Sequence, residues 1–374
     1  LCFGYFYIEH SALSIEHCAL SLLIEPTTAG LYCAAGDFHI DPWQPVGRAV
    51  ITHAHGDHLR AGSAAYLCSR EAQPIVRARI DGDVRIEALD YGQEIDMNGV
   101  HVSLHPAGHI LGSAQVRVEQ RGEVWVASGD YKRAPDPTCT PFDPVRCHTF
   151  ISEATFGLPV FRWDPPAAIV MEICAWWEEM RSTARPAVLF CYSLGKAQRV
   201  LAELARHNSR PVFVHGALIE LIETYRASGV PLVPTQRATD SARGRSFAGE
   251  LIVAPLSARG STWMRRFGDH SSGFASGWMR IRGARRRRAY DRGFALSDHA
   301  DWDALIRTID DTGAERVFVT HGYTHQLARY LADRGLDAHP WRTQYEGEPE
   351  SDEMAISKTQ GPSSNDRGED RNHQ

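Results

Sequence analysis

The sequence predicts an α/β protein built in two parts, and three observations carry that reading. Residues 30–152 hold short apolar runs at 31–33, 49–52, 65–68, 84–86, 100–104, 114–118 and 124–127, separated by Gly-Asp, Asn-Gly and Arg-Gly turns. Such spacing is that of a strand-rich unit. After Trp163-Asp164-Pro165-Pro166 the texture changes. A helix is expected over 167–181, with Ile169, Ile173, Trp176 and Trp177 at helical spacing; strands at 187–192, 211–215 and 251–255 then alternate with helices over 195–206 and 217–227. Strands that alternate with helices imply a parallel sheet. The chain finally returns to the first part through a strand ahead of His299, a helix at 302–312, a strand at 317–320 and a helix at 323–334. Trp176 and Trp177 read as core rather than as a base-stacking platform, because they fall on the apolar face of their helix.

At 374 residues and 43% hydrophobic content the chain has room for about two domains and a large core. The net charge of -6 argues against a uniformly basic nucleic-acid binder. Charge is nevertheless clustered: ten arginines and only two acids, Asp269 and Asp291, lie between Arg259 and Arg292. Arg285, Arg286, Arg287 and Arg288 are the densest part. Lysine is scarce (Lys132, Lys196 and Lys358), so arginine enrichment is partly compositional. A cluster just before residue 299 could still form a phosphate-binding wall. Eight cysteines contain no Cys-x-x-Cys pair, which fits buried, reduced thiols in a cytoplasmic protein. No apolar run reaches the roughly 18 residues of a membrane span. Residues 1–19 are expected to be an extension outside the fold. The tail 346–374, acidic and then polar, is expected to be disordered.

The densest chemistry is His53-Ala54-His55-Gly56-Asp57-His58, directly after an apolar run. In an extended segment alternate side chains share a face, so His53 and His55 can grip one metal while Asp57 and His58, past the turn at Gly56, reach a second. Imidazole and carboxylate donors suit zinc, with manganese the alternative. A lone His-x-His is often a surface pair, but four ligating side chains in six residues after a strand are harder to dismiss. Three other strands end in one ligand beside glycine: Gly108-His109, Gly129-Asp130 and His321-Gly322. Singly these would be a loop histidine, a turn or cap, and a strand-end polar residue. Together with the first motif they complete two sites, with the Asp130 carboxylate bridging the metals.

That ordered set resembles the metallo-β-lactamase superfamily. Ile151-Ser152-Glu153-Ala154-Thr155-Phe156-Gly157 and Leu296-Ser297-Asp298-His299-Ala300-Asp301 narrow the resemblance to its β-CASP nucleases. Gly36-Asp37-Phe38-His39-Ile40-Asp41-Pro42-Trp43, Tyr192-Ser193-Leu194-Gly195-Lys196-Ala197-Gln198 and Ala275-Ser276-Gly277-Trp278-Met279 look most like the bacterial DNA ligase-associated exonucleases. Two positions depart from the pattern: Ala154 where a hydroxyl residue is common, and Gly56 where Ser is frequent. Neither removes a ligand, although Ala154 could loosen a supporting hydrogen bond.

The resemblance spans about residues 20–345. It implies a metallo-β-lactamase αββα sandwich formed by 20–165 and 291–345, with an inserted α/β β-CASP domain over 166–290. It implies hydrolysis of phosphodiester bonds with two divalent metals, His299 protonating the leaving oxygen, Glu153 orienting that ring and Asp57 orienting the nucleophile or accepting its proton. Asp41, with Asp37 as the less favoured alternative, would support a ligating histidine. The turn at Ser193 and Lys196 could hold a phosphate at a helix start, although an ordinary helix cap at Ser193 reads equally well. DNA degraded from an end, with an ATP-dependent DNA ligase and a helicase as functional partners, is the implied substrate and setting. An RNA-processing β-CASP nuclease, a small-molecule hydrolase and a non-catalytic nucleic-acid-binding subunit are the alternatives.

Overall fold

The computed structural model describes residues 22–240, 244–281 and 289–342. Among these, three sheets organise the chain. The first runs in the order Glu25–Pro26, Leu31–Cys33, Phe38–Ile40, Arg48–Val50, Ala65–Ser69, Arg85–Leu89. The second runs Asp337–Pro340, Arg316–Gly322, Thr149–Ala154, Glu123–Ala127, Ala114–Gln120, Val100–Pro106, Glu94–Met97.

These two sheets pack face to face, because period-2 alternation sends one set of side chains inward from each. Ile40, Val50, Leu67 and Leu89 of the first sheet share a core with Val102, Val116, Trp125, Ile151 and Phe318 of the second. The intervening positions face outward. Phe150, Val317 and Val319 pack under the helices Trp302–Thr312 and Thr324–Asp333 through Leu305, Ile309, Leu327 and Leu331. The first of these helices has both ends fixed locally: Asp301 accepts from the Ala304 amide at 2.9 Å, and Gly313 turns left-handed at φ 64°. On the outer face of the first sheet Ala49, Ile51 and Tyr66 meet Ile75 and Val76 of the helix Gln73–Arg79.

The third sheet lies within residues 187–294 and is wholly parallel, in the order Thr235–Arg237, Val212–Val214, Leu251–Pro255, Ala187–Cys191, Ser271–Ala275, Arg292–Phe294. Its central strand Ala187–Cys191 is buried on both faces, as a covered parallel sheet requires. Leu189 and Cys191 face the helices Pro166–Ser182 and Lys196–Ala205; Val188 and Phe190 face Phe247, Phe267 and Met279. Trp176 and Trp177 are core, as their spacing predicts. Trp177→Ala is expected to cost about 3–5 kcal/mol, read as a lower urea midpoint.

The sequence reading missed several strands. Thr235–Arg237 and Ser271–Ala275 carry polar or small residues, and Glu94–Met97 is an edge strand with Glu94 and Asp96 exposed. Residues 1–19, Arg285–Arg288 and the tail 346–374 lie outside the described residues. Among those described, no helix is long and apolar enough to cross a membrane.

Candidate metal centre

Strand ends from the two packed sheets converge on one point. His53 and His55 follow Arg48–Val50, His109 follows Val100–Pro106, and Asp130 follows Glu123–Ala127. The last approach needs glycine. Gly129 has φ +55°, and a Cβ there would lie 2.6 Å from Thr52. His321 itself adopts φ 52°, an uncommon conformation for a non-glycine residue and of the kind found at functional sites.

Four donor atoms lie within 4.8 Å of one another. His55 Nδ1 lies 3.1 Å from His53 Nε2 and 3.1 Å from His109 Nε2. Asp130 Oδ2 lies 3.5 Å from His53 Nε2 and 3.8 Å from His109 Nε2. Four donors about 2.0–2.2 Å from one tetrahedral ion would sit about 3.3 Å apart, so the cluster fits zinc-like coordination.

Hydrogen bonds outside the cluster fix the tautomers. His109 Nδ1 faces the Asp298 carbonyl at 2.8 Å, and His55 Nε2 faces the Leu194 carbonyl at 3.2 Å. A carbonyl can only accept, so each of those nitrogens carries the proton and each inner nitrogen presents a lone pair. His53 Nδ1 lies 3.0 Å from Thr52 Oγ1, whose own proton goes to Asp41 Oδ2 at 2.5 Å. Three inward lone pairs and a carboxylate oxygen repel one another unless a cation stands among them. Burial first, and neighbouring imidazoles for His53 and His109, push these rings below the ordinary imidazole value. Neutral rings are what a metal binds.

His58 differs. Burial alone would lower its pKa, but Asp57, Asp130 and Asp41 together raise it well above the ordinary value. Its Nδ1 donates to Asp41 Oδ2 at 2.7 Å. Its Nε2 is buried and makes no hydrogen bond, with Asp130 Oδ2 at 3.5 Å and Asp57 Oδ2 at 3.7 Å. The His321 ring stacks on that of His58 with centroids 5.2 Å apart. A small cavity lined by Asp41, Thr52, Asp57, His58 and His321 adjoins them. A cation there would take the place of the Nε2 proton between the ring and the two carboxylates.

Asp41 is therefore the acid that supports the histidines, and it also accepts from the Thr52 amide at 2.7 Å. Asp37 is more exposed and pairs with Arg48 at 2.9 Å, away from the cluster. Glu153 and His299 meet as expected, His299 Nδ1 lying 3.0 Å from Glu153 Oε2, while Glu153 Oε1 accepts from the Tyr131 amide at 2.7 Å. Among the described residues two groups have donor atoms all within 4.8 Å of one another and able to hold a metal: His53, His55, His109 and Asp130, and then Asp130, Glu153 and His299. The second group was not foreseen as a ligand set. Ala154 packs in an apolar cluster and takes no part.

Lys196 is 1% exposed and forms a contact ion pair with Asp298 Oδ2 at 2.7 Å, so its ammonium does not face solvent as a phosphate-binding residue would. Ser193 is half-buried beside the Leu194 carbonyl that His55 uses. In the arginine run, Arg280 pairs with Asp164 at 2.8 Å, Arg292 pairs with Glu179 at 2.8 Å, and Arg259 lies over Tyr290. These contacts knit elements together. Sequence reasoning overlooked Lys132, Asp136, Arg199 and Asp298, all buried. The one available signal was a Lys-x-x-Arg pair in a helix that is otherwise largely apolar.

Fold and site thus define a class, a mixed α/β protein with side-chain clusters able to bind metal. No protein-family profile matches the chain. It is 34% identical over 316 residues to a probable DNA ligase of Opitutus terrae, a match covering 83% of this chain and 30% of that protein. It is 29% identical over 128 residues to the endoribonuclease YSH1 of Eremothecium gossypii, covering 34% and 16%. An RNase J-like protein of Methanocaldococcus jannaschii is 22% identical over 209 residues, covering 48% and 50%. A crystal structure of a protein of unknown function from Enterococcus faecalis V583 shares the fold with TM-score 0.54 and 12% identity over 80% of each chain. The chain belongs to the β-CASP branch of the metallo-β-lactamase superfamily. It spans less than a third of the length of the ligase and less than a fifth of the endoribonuclease.

Proposed function

We propose that this chain is a two-metal phosphodiesterase that degrades DNA from an end, in the cytoplasm and in partnership with an ATP-dependent DNA ligase and a helicase. The observation that carries the hydrolytic reading is the convergence of one donor atom each from His53, His55, His109 and Asp130, all within 4.8 Å of one another. The ligase reading rests on a relative named as a probable DNA ligase, in which 30% of the length resembles most of this chain. In this reading residues 20–165 and 291–345 are the metallo-β-lactamase αββα sandwich and 166–290 the β-CASP domain, except that Arg292–Phe294, an edge strand of the third sheet, goes with the latter.

Bound divalent ions, zinc or manganese, would supply Lewis acidity that lowers the pKa of water to about 7 and polarises a phosphate oxygen. His53, His55, His109 and Asp130 would hold one, and Asp57, His58, Asp130 and His321 the other. Asp57, at the rim of the cluster, orients the attacking water and takes up its proton. Asp41 holds His58 directly and His53 through Thr52, so these ligands need not reorganise during turnover. Glu153 fixes the His299 ring, which delivers a proton to the leaving oxygen.

Relatives named as endoribonucleases favour RNA as the second reading. Metal-loaded protein incubated with end-labelled linear and internally labelled circular DNA and RNA separates the two. Loss of label from linear DNA with circles intact is the expected outcome. Cleaved circles would overturn the exonuclease assignment, and faster loss of RNA would overturn the DNA assignment.

A further inference from the structure

Five buried charged side chains link the third sheet to the metal cluster. Lys132 Nζ lies 2.8 Å from Asp136 Oδ2, and Arg199 Nε lies 3.0 Å from the same oxygen. Arg199 Nη1 reaches Asp298 Oδ1 at 2.8 Å and also donates to the Ser297 carbonyl. Lys196 Nζ closes the chain on Asp298 Oδ2 at 2.7 Å. The five lie on three separate segments: the loop after Asp130, the start of the helix Lys196–Ala205, and the loop before His299.

Such a network is a poor way to gain stability. Each ion loses its hydration, and an apolar set of similar volume often does as well or better. What it does supply is geometry. The Asp298 side chain is gripped by two cations, while its backbone carbonyl accepts the proton of His109 Nδ1 at 2.8 Å. The carbonyl of Leu194, two residues before Lys196, faces His55 Nε2 at 3.2 Å. The backbone amide of Lys132 donates to the Ala107 carbonyl at 3.0 Å and so holds the loop that carries His109. The helix start fits closely against that loop: Gly195 has φ +83°, and a Cβ there would come within 2.3 Å of Ile110.

Resting on the metal-centre reading, we propose that Lys196 and Arg199 are positioning residues. Through Asp298 they fix the ring of His109, and the turn that opens their helix fixes the ring of His55. Metal affinity at a centre built by the first two sheets is thereby set by a helix that belongs to the third. Outer partners of ligating histidines typically change metal affinity about 10–100-fold.

The test is cobalt(II) titration of metal-free protein, followed by visible absorption and by metal analysis, with folding monitored by circular dichroism. Lys196→Met is expected to bind the tighter cobalt about 10–100-fold more weakly and to alter its absorption bands. Lys196→Arg is expected to restore both. Asp298→Asn keeps side-chain shape but removes the anion, should weaken binding in the same direction, and decides the matter if Lys196→Met does not fold. Ile173→Ala, buried on the neighbouring helix Pro166–Ser182 and outside the ion network, controls for lost stability and should keep wild-type cobalt affinity. Folded Lys196→Met or Asp298→Asn with wild-type affinity and spectrum would overturn the inference while leaving the metal centre standing. Absence of cobalt binding by the wild-type chain would instead remove the metal centre itself, and this inference with it.

Discussion

His53→Ala is expected to lose bound metal and nearly all nuclease activity together. The ring is 1% exposed, and its Nε2 lies 3.1 Å from His55 Nδ1 and 3.5 Å from Asp130 Oδ2, so nothing else can replace it in the cluster. Two imidazoles and a carboxylate would remain, one donor short of the four the cluster brings together, so the ion is held more weakly. Losing metal-assisted activation of water and phosphate costs several kcal/mol of barrier, about 10³-fold or more in rate. Metal per chain, measured on the purified variant, and turnover of end-labelled DNA should fall in step. Stability separates this from misfolding. Removing one of three facing lone pairs relieves repulsion in the metal-free chain, so its unfolding temperature should be close to wild type. What should vanish is the increase in unfolding temperature on adding metal, because that increase is ligand binding to the native state. A variant with full metal content and wild-type turnover would show that the cluster is not the active centre.

The cluster was legible because its ligands sit where sequence is least ambiguous. His53, His55, Asp57 and His58 are nearly contiguous, and His109, Asp130 and His321 each end a clear apolar strand beside glycine. Asp41 was legible only as one of two acids in a short segment. The structure separates them, since Asp41 turns inward onto Thr52 and His58 while Asp37 pairs outward with Arg48. The ion network was not legible. Lys132, Asp136, Lys196 and Arg199 have the composition of solvated faces, and only tertiary packing removes them from water. Reading Lys196 as a surface phosphate ligand was the direct consequence. The polar strand Thr235–Arg237 was missed for a related reason: it extends an existing parallel sheet at one edge through backbone hydrogen bonds and needs little apolar content, while the strand expected ahead of His299 is Arg292–Phe294, which pairs at the other edge of this third sheet rather than with the first part.

His299→Ala is expected to keep metal and lose turnover, and this variant discriminates most sharply between two chemistries. Nδ1 of His299 lies 3.0 Å from Glu153 Oε2 and 4.0 Å from Asp130 Oδ2. Asp130, Glu153 and His299 are therefore also close enough to hold an ion between them. If His299 is a proton donor, Glu153 orients its ring, and removal withdraws general-acid assistance worth about 10²–10⁴-fold. The surroundings favour that role. Phe156 stands edge-on to the ring, centroids 5.8 Å apart, and Trp163 donates to the His299 carbonyl at 3.0 Å, which together hold the imidazole in a shielded wall beside the cluster. Metal content should then match wild type. A substrate whose leaving group needs no proton, such as a nitrophenyl phosphodiester, should be hydrolysed by the variant with a much smaller deficit than DNA. If His299 is a ligand instead, metal per chain drops with activity, and the activated substrate is no better tolerated than DNA. Those two measurements move together in one case and apart in the other, so a loss of metal in His299→Ala would transfer this residue from proton transfer to ion binding.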